Sequence, residues 1–242
     1  MRRRLALVVA LSGCALGDPA PAHDEPADFD PVDWSGGKAD SSGVPATFDR
    51  NLIVSDQIFF AKSAVTGDAV QKFLEASPYG TRSWLADEML GGARFSDALV
   101  YLAQENSIDP IMLLARAQVE SSLVSSTVKP SNSRIAVALG CGCPDSSSCA
   151  GEDLGLGPQL KCASLVLLTR EQDSAEGTGT WILGQTRLTS DHYKVTPKSN
   201  ATAAMYAYTP WVLPGRGGNW LVWNVTRKFL KHFDDAGTLN LP

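Results

Sequence analysis

The chain has 242 residues, 44% of them apolar, and a formal charge of −5. That length holds one domain of ordinary to large size plus accessory segments, and the composition suffices for a real core. Without Arg2, Arg3 and Arg4 the balance is 18 basic against 26 acidic residues, which argues against nucleic acid as a partner because phosphates need a basic face.

Met1-Arg-Arg-Arg4 followed by the apolar run Leu5 to Leu11 has the charged start and short hydrophobic stretch of an export signal, too short to span a bilayer permanently. Leu11-Ser12-Gly13-Cys14 then reads as a lipobox, so residues 1–13 are expected to be a lipoprotein signal peptide and Cys14 to carry the lipid that anchors the chain to a membrane. Ala15 gives no retention signal of the aspartate type, which favours the outer membrane in a cell that has one. From Ala15 to about Arg50 the sequence is rich in Pro, Asp, Gly and Ser, with six acids between Asp18 and Asp33 and no Lys or Arg before Lys38. Residues 14–50 are therefore expected to be a lipidated, acidic, disordered linker.

Residues 51–242 are expected to form one mainly α domain. Val70, Phe73 and Leu74 lie at helical spacing between Asp68 and Ala76, and Trp84, Leu85 and Met89 repeat the pattern between Ser83 and Leu90. Ser96 is a candidate cap for a third helix, with Leu99, Val100, Leu102 and Ala103 on its apolar side and an end near Asn106. Asp109-Pro110 is a start signal, a capping side chain followed by proline at the first helical position. The run from Ile111 to Val119 is apolar on nearly all sides, which places this helix centrally, with Glu120 at its far end. Residues 125–156 read as a long disulfide-bearing loop, followed by a helix from about Gln159 to Arg170. Residues 171–198 are polar and irregular, with Trp181 and Tyr193 as isolated aromatics; Ala201 to Tyr208 and Asn219 to Phe233 close the chain as helices, Trp220 and Trp223 facing the core.

With Cys14 set aside, Cys141, Cys143, Cys149 and Cys162 remain, an even number that in an oxidising compartment implies two disulfides of three possible connectivities. Zinc is not expected, because Cys141-Gly142-Cys143 has too short a spacer and no histidine is near it. Glu120 sits in Val119-Glu-Ser-Ser-Leu-Val124 with apolar neighbours on both sides, and burial in such a seat would raise its pKa and let it hold a proton for a glycosidic oxygen. The alternative is a structural ion pair with Arg116, four residues back on the same helix. Trp211 is the aromatic best placed to offer a flat face to a sugar ring. His192 and His232 look like exposed singles without a serine or cysteine arrangement for nucleophilic catalysis.

The segment Ser107-Ile-Asp-Pro-Ile-Met-Leu-Leu-Ala-Arg-Ala-Gln-Val-Glu-Ser121 resembles the catalytic helix of soluble lytic transglycosylases and related secreted bacterial cell-wall glycosidases of the lysozyme-like superfamily. Further motifs occur in the order found in such proteins: Ile53-Val-Ser-Asp56, Gly142-Cys-Pro-Asp-Ser-Ser-Ser-Cys149, Gly155-Leu-Gly-Pro-Gln-Leu160, Asn200-Ala-Thr-Ala-Ala-Met-Tyr-Ala-Tyr-Thr-Pro210 and Gly218-Asn-Trp-Leu-Val-Trp223. The resemblance spans about residues 52–233. It implies a lysozyme-like helical fold and identifies Glu120 as the catalytic acid, with Ser121, Gln159, Tyr206, Tyr208 and Trp211 near the sugar and Tyr206 the better-aligned tyrosine. It pairs Cys143 with Cys149 and Cys141 with Cys162.

Pro158 departs from the family's usual Gly-Leu-Met-Gln segment, which weakens the parallel for Gln159. No second carboxylate stands out as a partner for Glu120: Asp145, Glu152 and Asp153 carry no recognisable motif. The implied activity is one-glutamate cleavage of the MurNAc-GlcNAc β-1,4 bond, leaving a 1,6-anhydro end, on peptidoglycan glycan strands, by a monomer that needs no cofactor or metal. Hydrolysis as a muramidase or N-acetylglucosaminidase, or glycan binding without catalysis, are the alternatives.

Overall fold

The computed structural model describes residues 28, 30, 32, 34, 43–142 and 151–242. The expected signal segment, Cys14 and most of the expected linker lie outside the described residues, as do Cys143, Cys149 and Asp145. The described chain is mainly helical: α1 (Asp56–Phe59), α2 (Gly67–Glu75), α3 (Phe95–Glu105), α4 (Pro110–Ser121), α5 (Asn132–Ala136), α6 (Leu156–Ala175), α7 (Asn200–Tyr208) and α8 (Gly218–Asp235). Two minimal antiparallel hairpins accompany them, β1 (Met89–Leu90) with β2 (Ala93–Arg94), and β3 (Arg187–Leu188) with β4 (Lys194–Val195). Among the described residues no helix is long and apolar enough to cross a membrane.

The centre is α4, and its sequence explains why. Asp109 caps it by accepting from the Ile111 N–H at 2.8 Å, and Pro110 occupies the first position, where its missing N–H costs nothing. Every residue from Pro110 to Gln118 is buried. Burying Ile111, Leu113 and Leu114 contributes roughly 1.5–3 kcal/mol each, so the helix is held by its surroundings on all sides. On one flank lies α8, whose Phe229 and Phe233 meet Phe73 of α2 at ring separations of 4.9 and 4.7 Å. On the other, α3 packs on both α4 and α6, while α6 packs against α7.

Several expectations need correction. Ser83 to Leu90 is not a helix: Ser83 caps a single 3-10 turn, Trp84–Asp87, and the chain then enters β1. Ser96 does not cap α3, which starts one residue earlier; its hydroxyl bonds Gln71 at 3.0 Å instead. α6 begins at Leu156 and runs to Ala175, longer at both ends than expected, because proline at 158 still falls in the first turn, where no backbone partner is lost. The loop before it contains α5. Trp181 is not isolated but buried and stacked on Tyr206 at 4.9 Å, and His232 packs edge-on against Phe73 rather than standing free. Burial holds the His232 pKa below its usual value, with Asp235 opposing and Lys231 adding to the effect.

The packed body also reaches upstream of Asn51, where a tether was expected. Trp34 and Val44 are buried, and the Trp34 carbonyl accepts from Arg227 at 3.0 Å. Asp28 accepts from Gln118 at 2.6 Å and forms an ion pair with Lys228 at 3.2 Å. The disulfide Cys141–Cys162 joins the loop to α6, as the resemblance implies.

Candidate functional site

At the end of α4 the chain turns sharply, because Ser122 adopts the left-handed conformation (φ 53°) and the Leu123 N–H bonds back to Ala117 at 3.2 Å. Glu120 thus lies on the last exposed turn of an otherwise buried helix, its side chain 28% exposed. One turn below it Arg116 is almost wholly enclosed, at 2%. Arg116 Nη1 donates to Glu120 Oε1 at 3.1 Å and to Thr209 Oγ1 at 2.9 Å, and its guanidinium lies 4.4 Å from the centre of the Tyr208 ring. The helix C-terminus carries partial negative charge, and the Arg116 cation compensates both that field and the carboxylate.

The apolar seat expected for Glu120 is therefore absent. Its nearest partner is a buried cation, the ion pair that spacing alone allowed. Only Oε1 is engaged; no hydrogen bond reaches Oε2 from the described residues.

The two tyrosines of α7 exchange the roles expected of them. Two positions apart on a helix, they point to different sides. Tyr206 is fully buried, stacked on Trp181 with its hydroxyl donating to the Arg50 carbonyl at 2.8 Å, and belongs to the core. Tyr208 is the tyrosine beside the acid. Its hydroxyl donates to the Leu139 carbonyl at 2.8 Å, and burial pushes its pKa up to about 12, with Arg116 pulling it down and Glu120 adding to the rise. The phenol is therefore neutral at any physiological pH.

Ser121 faces the loop, its hydroxyl donating to the Ala138 carbonyl at 2.5 Å. Gln159 is not a cleft residue. It is fully buried; Oε1 accepts from the N–H groups of Leu139 and Cys141 at 3.1 and 3.2 Å, and Nε2 donates to the carbonyls of Cys141 and Asp153 at 2.7 and 2.8 Å. Both amide ends are fully committed to the loop backbone, so none of its hydrogen-bonding capacity remains for a sugar. Gln159 and the Cys141–Cys162 bridge, three residues further along α6, tie the same stretch of chain that Ser121 and Tyr208 touch.

Trp211, 42% exposed, remains available as a platform. Its segment is held firmly. Asn219 Nδ2 donates to the Thr209 and Trp211 carbonyls at 2.7 and 3.2 Å, and a Cβ on Gly218 would stand 2.6 Å from the Trp211 carbonyl oxygen, so only glycine fits there. From the other side Asp191 accepts from the N–H groups of Val212 and Leu213 at 3.1 and 2.8 Å. Burial pushes the Asp191 pKa up, but bonds from Thr189, Leu213 and Val212 outweigh it and leave the carboxyl lowered.

Concavities lie elsewhere on the described surface. A groove of about 790 Å³ between α3 and α6 is lined by Tyr101, Leu102, Leu165 and Val166, with Glu152, Asp153 and Lys161 among its polar residues; it contains none of the predicted site residues except Cys162. The loop acids Glu152 and Asp153 thus belong to that groove. A second hollow, of about 360 Å³, is lined by Phe48, Asp49, Arg50, Asn51, Tyr193, Val212 and Pro214. Among the described residues no three His, Cys, Asp or Glu side chains gather in a way that could hold a metal ion.

What sequence reading missed is that Thr209 and Tyr208 join the Arg116–Glu120 pair in one constellation. A signal was present, an arginine inside an otherwise apolar helical run at four-residue spacing from a glutamate. Compared with known proteins, the chain matches no family model, no curated protein and no solved structure.

Proposed function

We propose that this chain is a lysozyme-like protein that cleaves peptidoglycan glycan strands, with Glu120 as the acid, by transglycosylase-type scission of the MurNAc-GlcNAc β-1,4 bond. The observation that carries the reading is the mounting of Glu120: a carboxyl group at the open end of a buried helix, gripped through one oxygen by an enclosed arginine while the other takes no hydrogen bond from the described residues. In this reading the protonated form of Glu120 gives its Oε2 proton to the bridging oxygen as the C1–O bond breaks, and Arg116 stabilises the carboxylate left behind, an interaction that gains strength as charge develops. The substrate's own N-acetyl group assists the electron-poor sugar carbon, and Glu120 then removes the C6 hydroxyl proton, closing a 1,6-anhydro ring. Tyr208 holds the loop and Arg116 in place, and Trp211 offers a sugar face.

Two features support a different reading, a glycan-binding module without catalysis: the Arg116–Glu120 ion pair and the commitment of Gln159 to the loop. Incubation with purified sacculi separates the possibilities. Soluble fragments with 1,6-anhydromuramyl ends, lost in Glu120→Gln, are the expected result. Reducing ends place the protein among hydrolases, and binding without fragment release overturns catalysis.

Export, a lipid at Cys14, outer-membrane placement and a monomeric state are proposed on the sequence pattern alone. Radiolabelled palmitate incorporation, abolished by Cys14→Ser, tests the anchor.

A further inference from the structure

The hollow bounded by Asp49, Arg50, Asn51 and Tyr193 is built like a binding site, and the glycosidic chemistry above makes no use of it. Arg50 Nε donates to the Lys194 carbonyl at 3.0 Å, and the guanidinium lies 5.9 Å from the centre of the Tyr193 ring. Those two contacts preset the plane of the fork, while its terminal nitrogens make no hydrogen bond to the described residues. The adjacent carboxylate does not take the fork: Asp49 is bonded to Lys198 Nζ at 2.7 Å and to the Asn51 N–H at 2.8 Å.

The floor is rigid as well. The Arg50 carbonyl accepts from buried Tyr206, and Asn51 accepts from the N–H groups of Thr196 and Lys198 at 2.8 Å each. Arg50, Lys194 and Lys198 against Asp49 and Asp191, the latter held on the Val212 N–H, leave this corner with one net positive charge on a chain whose overall charge is −5. An oriented guanidinium whose terminal nitrogens make no hydrogen bond to the described residues, beside an aromatic face, suits a carboxylate attached to a sugar or a short peptide.

One wall of the hollow, Val212 and Pro214, continues the stretch of chain that begins at Thr209, which bonds the arginine paired with Glu120. Val212 lies three residues after Thr209, which bonds Arg116, so at most about 11 Å of chain separates them.

We infer that this hollow is a carboxylate subsite that takes the lactyl or stem-peptide carboxylate of a muramyl residue while the glycan strand passes Glu120. The inference rests on the peptidoglycan reading, and it adds a recognition element for the acidic sugar that neutral chitin-like strands lack.

The test is a titration of the intact, nitrogen-15-labelled protein, followed by amide NMR, with three probes: N-acetylmuramic acid, muramyl dipeptide and N-acetylglucosamine. The two carboxylate probes are expected to shift Arg50, Asn51 and Tyr193, and the neutral sugar to leave them in place. Whichever carboxylate probe binds more tightly identifies the lactyl or the peptide group as the natural contact. Arg50→Gln is expected to weaken binding about tenfold, and Arg50→Lys, which keeps the charge and loses the fork, by less. Equal binding by Arg50→Gln, equal shifts with N-acetylglucosamine, or no shift at these residues overturns the subsite. Sacculus cleavage that depends on Glu120 is scored separately, so the subsite can fail while the glycosidase reading stands.

Discussion

Replacing Glu120 by Gln preserves shape and leaves the Arg116 guanidinium enclosed against a neutral amide. At the observed 3.1 Å, two unit charges in an effective dielectric of about 20 attract by roughly 5 kcal/mol, which is a ceiling. The partial exposure of Glu120 lets water screen the pair, and desolvation of Arg116 offsets part of the rest, so a net coupling of about 1–2 kcal/mol is expected. A double-mutant cycle in urea over wild type, Glu120→Gln, Arg116→Met and the double variant measures it. Glu120→Gln should remain folded at room temperature while fragment release from sacculi falls by about a hundredfold or more. Retained cleavage would falsify the assignment of the acid, and a coupling under about 0.5 kcal/mol would show that the ion pair does not form in solution.

Gln159→Leu leaves four backbone groups at Leu139, Cys141 and Asp153, three of them in buried bonds, without partners and is expected to cost about 3–5 kcal/mol, read as a lowered urea midpoint. A loss under about 1 kcal/mol would argue against its role as loop staple. Breaking Cys141–Cys162 by Cys162→Ser releases a constraint across 21 residues and is expected to cost about 3 kcal/mol; wild type and variant, both treated with reductant, should then unfold at the same urea concentration. Tyr208→Phe removes the bond to the Leu139 carbonyl and should lower stability by about 1–2 kcal/mol and slow fragment release, whereas Tyr206→Phe should change stability alone. Burial pushes the pKa of Asp109 well above its usual 3.8, the bond from the Ile111 N–H opposing. The folded protein then holds a proton that the unfolded chain releases, so stability falls as pH rises from about 4 toward the raised value. Asp109→Asn keeps the cap and should abolish that fall, which stability measured from pH 3 to pH 7 will show.

The parts of the fold that were legible from sequence are those governed by near neighbours. Asp109-Pro110 and the unbroken apolar run after it specify α4, and the spacing of Val70, Phe73 and Leu74 specifies α2, because capping and periodicity act within one or two turns. Ser83 to Leu90 failed for the same reason. Its apolar spacing suits a helix, but Ser83 is drawn into the Leu123 carbonyl at 3.3 Å and the chain departs into β1. Of the site, Glu120 and its four-residue relation to Arg116 were legible. The environment was not, since apolar sequence neighbours on a helix face away from the residue they flank.

Sequence by itself determined a mainly helical chain centred on one buried helix that ends in an acid. The tertiary structure alone decided which tyrosine stands beside that acid, that Gln159 is consumed by the loop, and that Trp34 and Val44 belong to the packed body. The physical reason is one of range. Helix starts and faces follow from interactions a few residues long, whereas the partners of a side chain depend on how helices rotate against each other, and a turn of about 100° per residue exchanges Tyr206 for Tyr208.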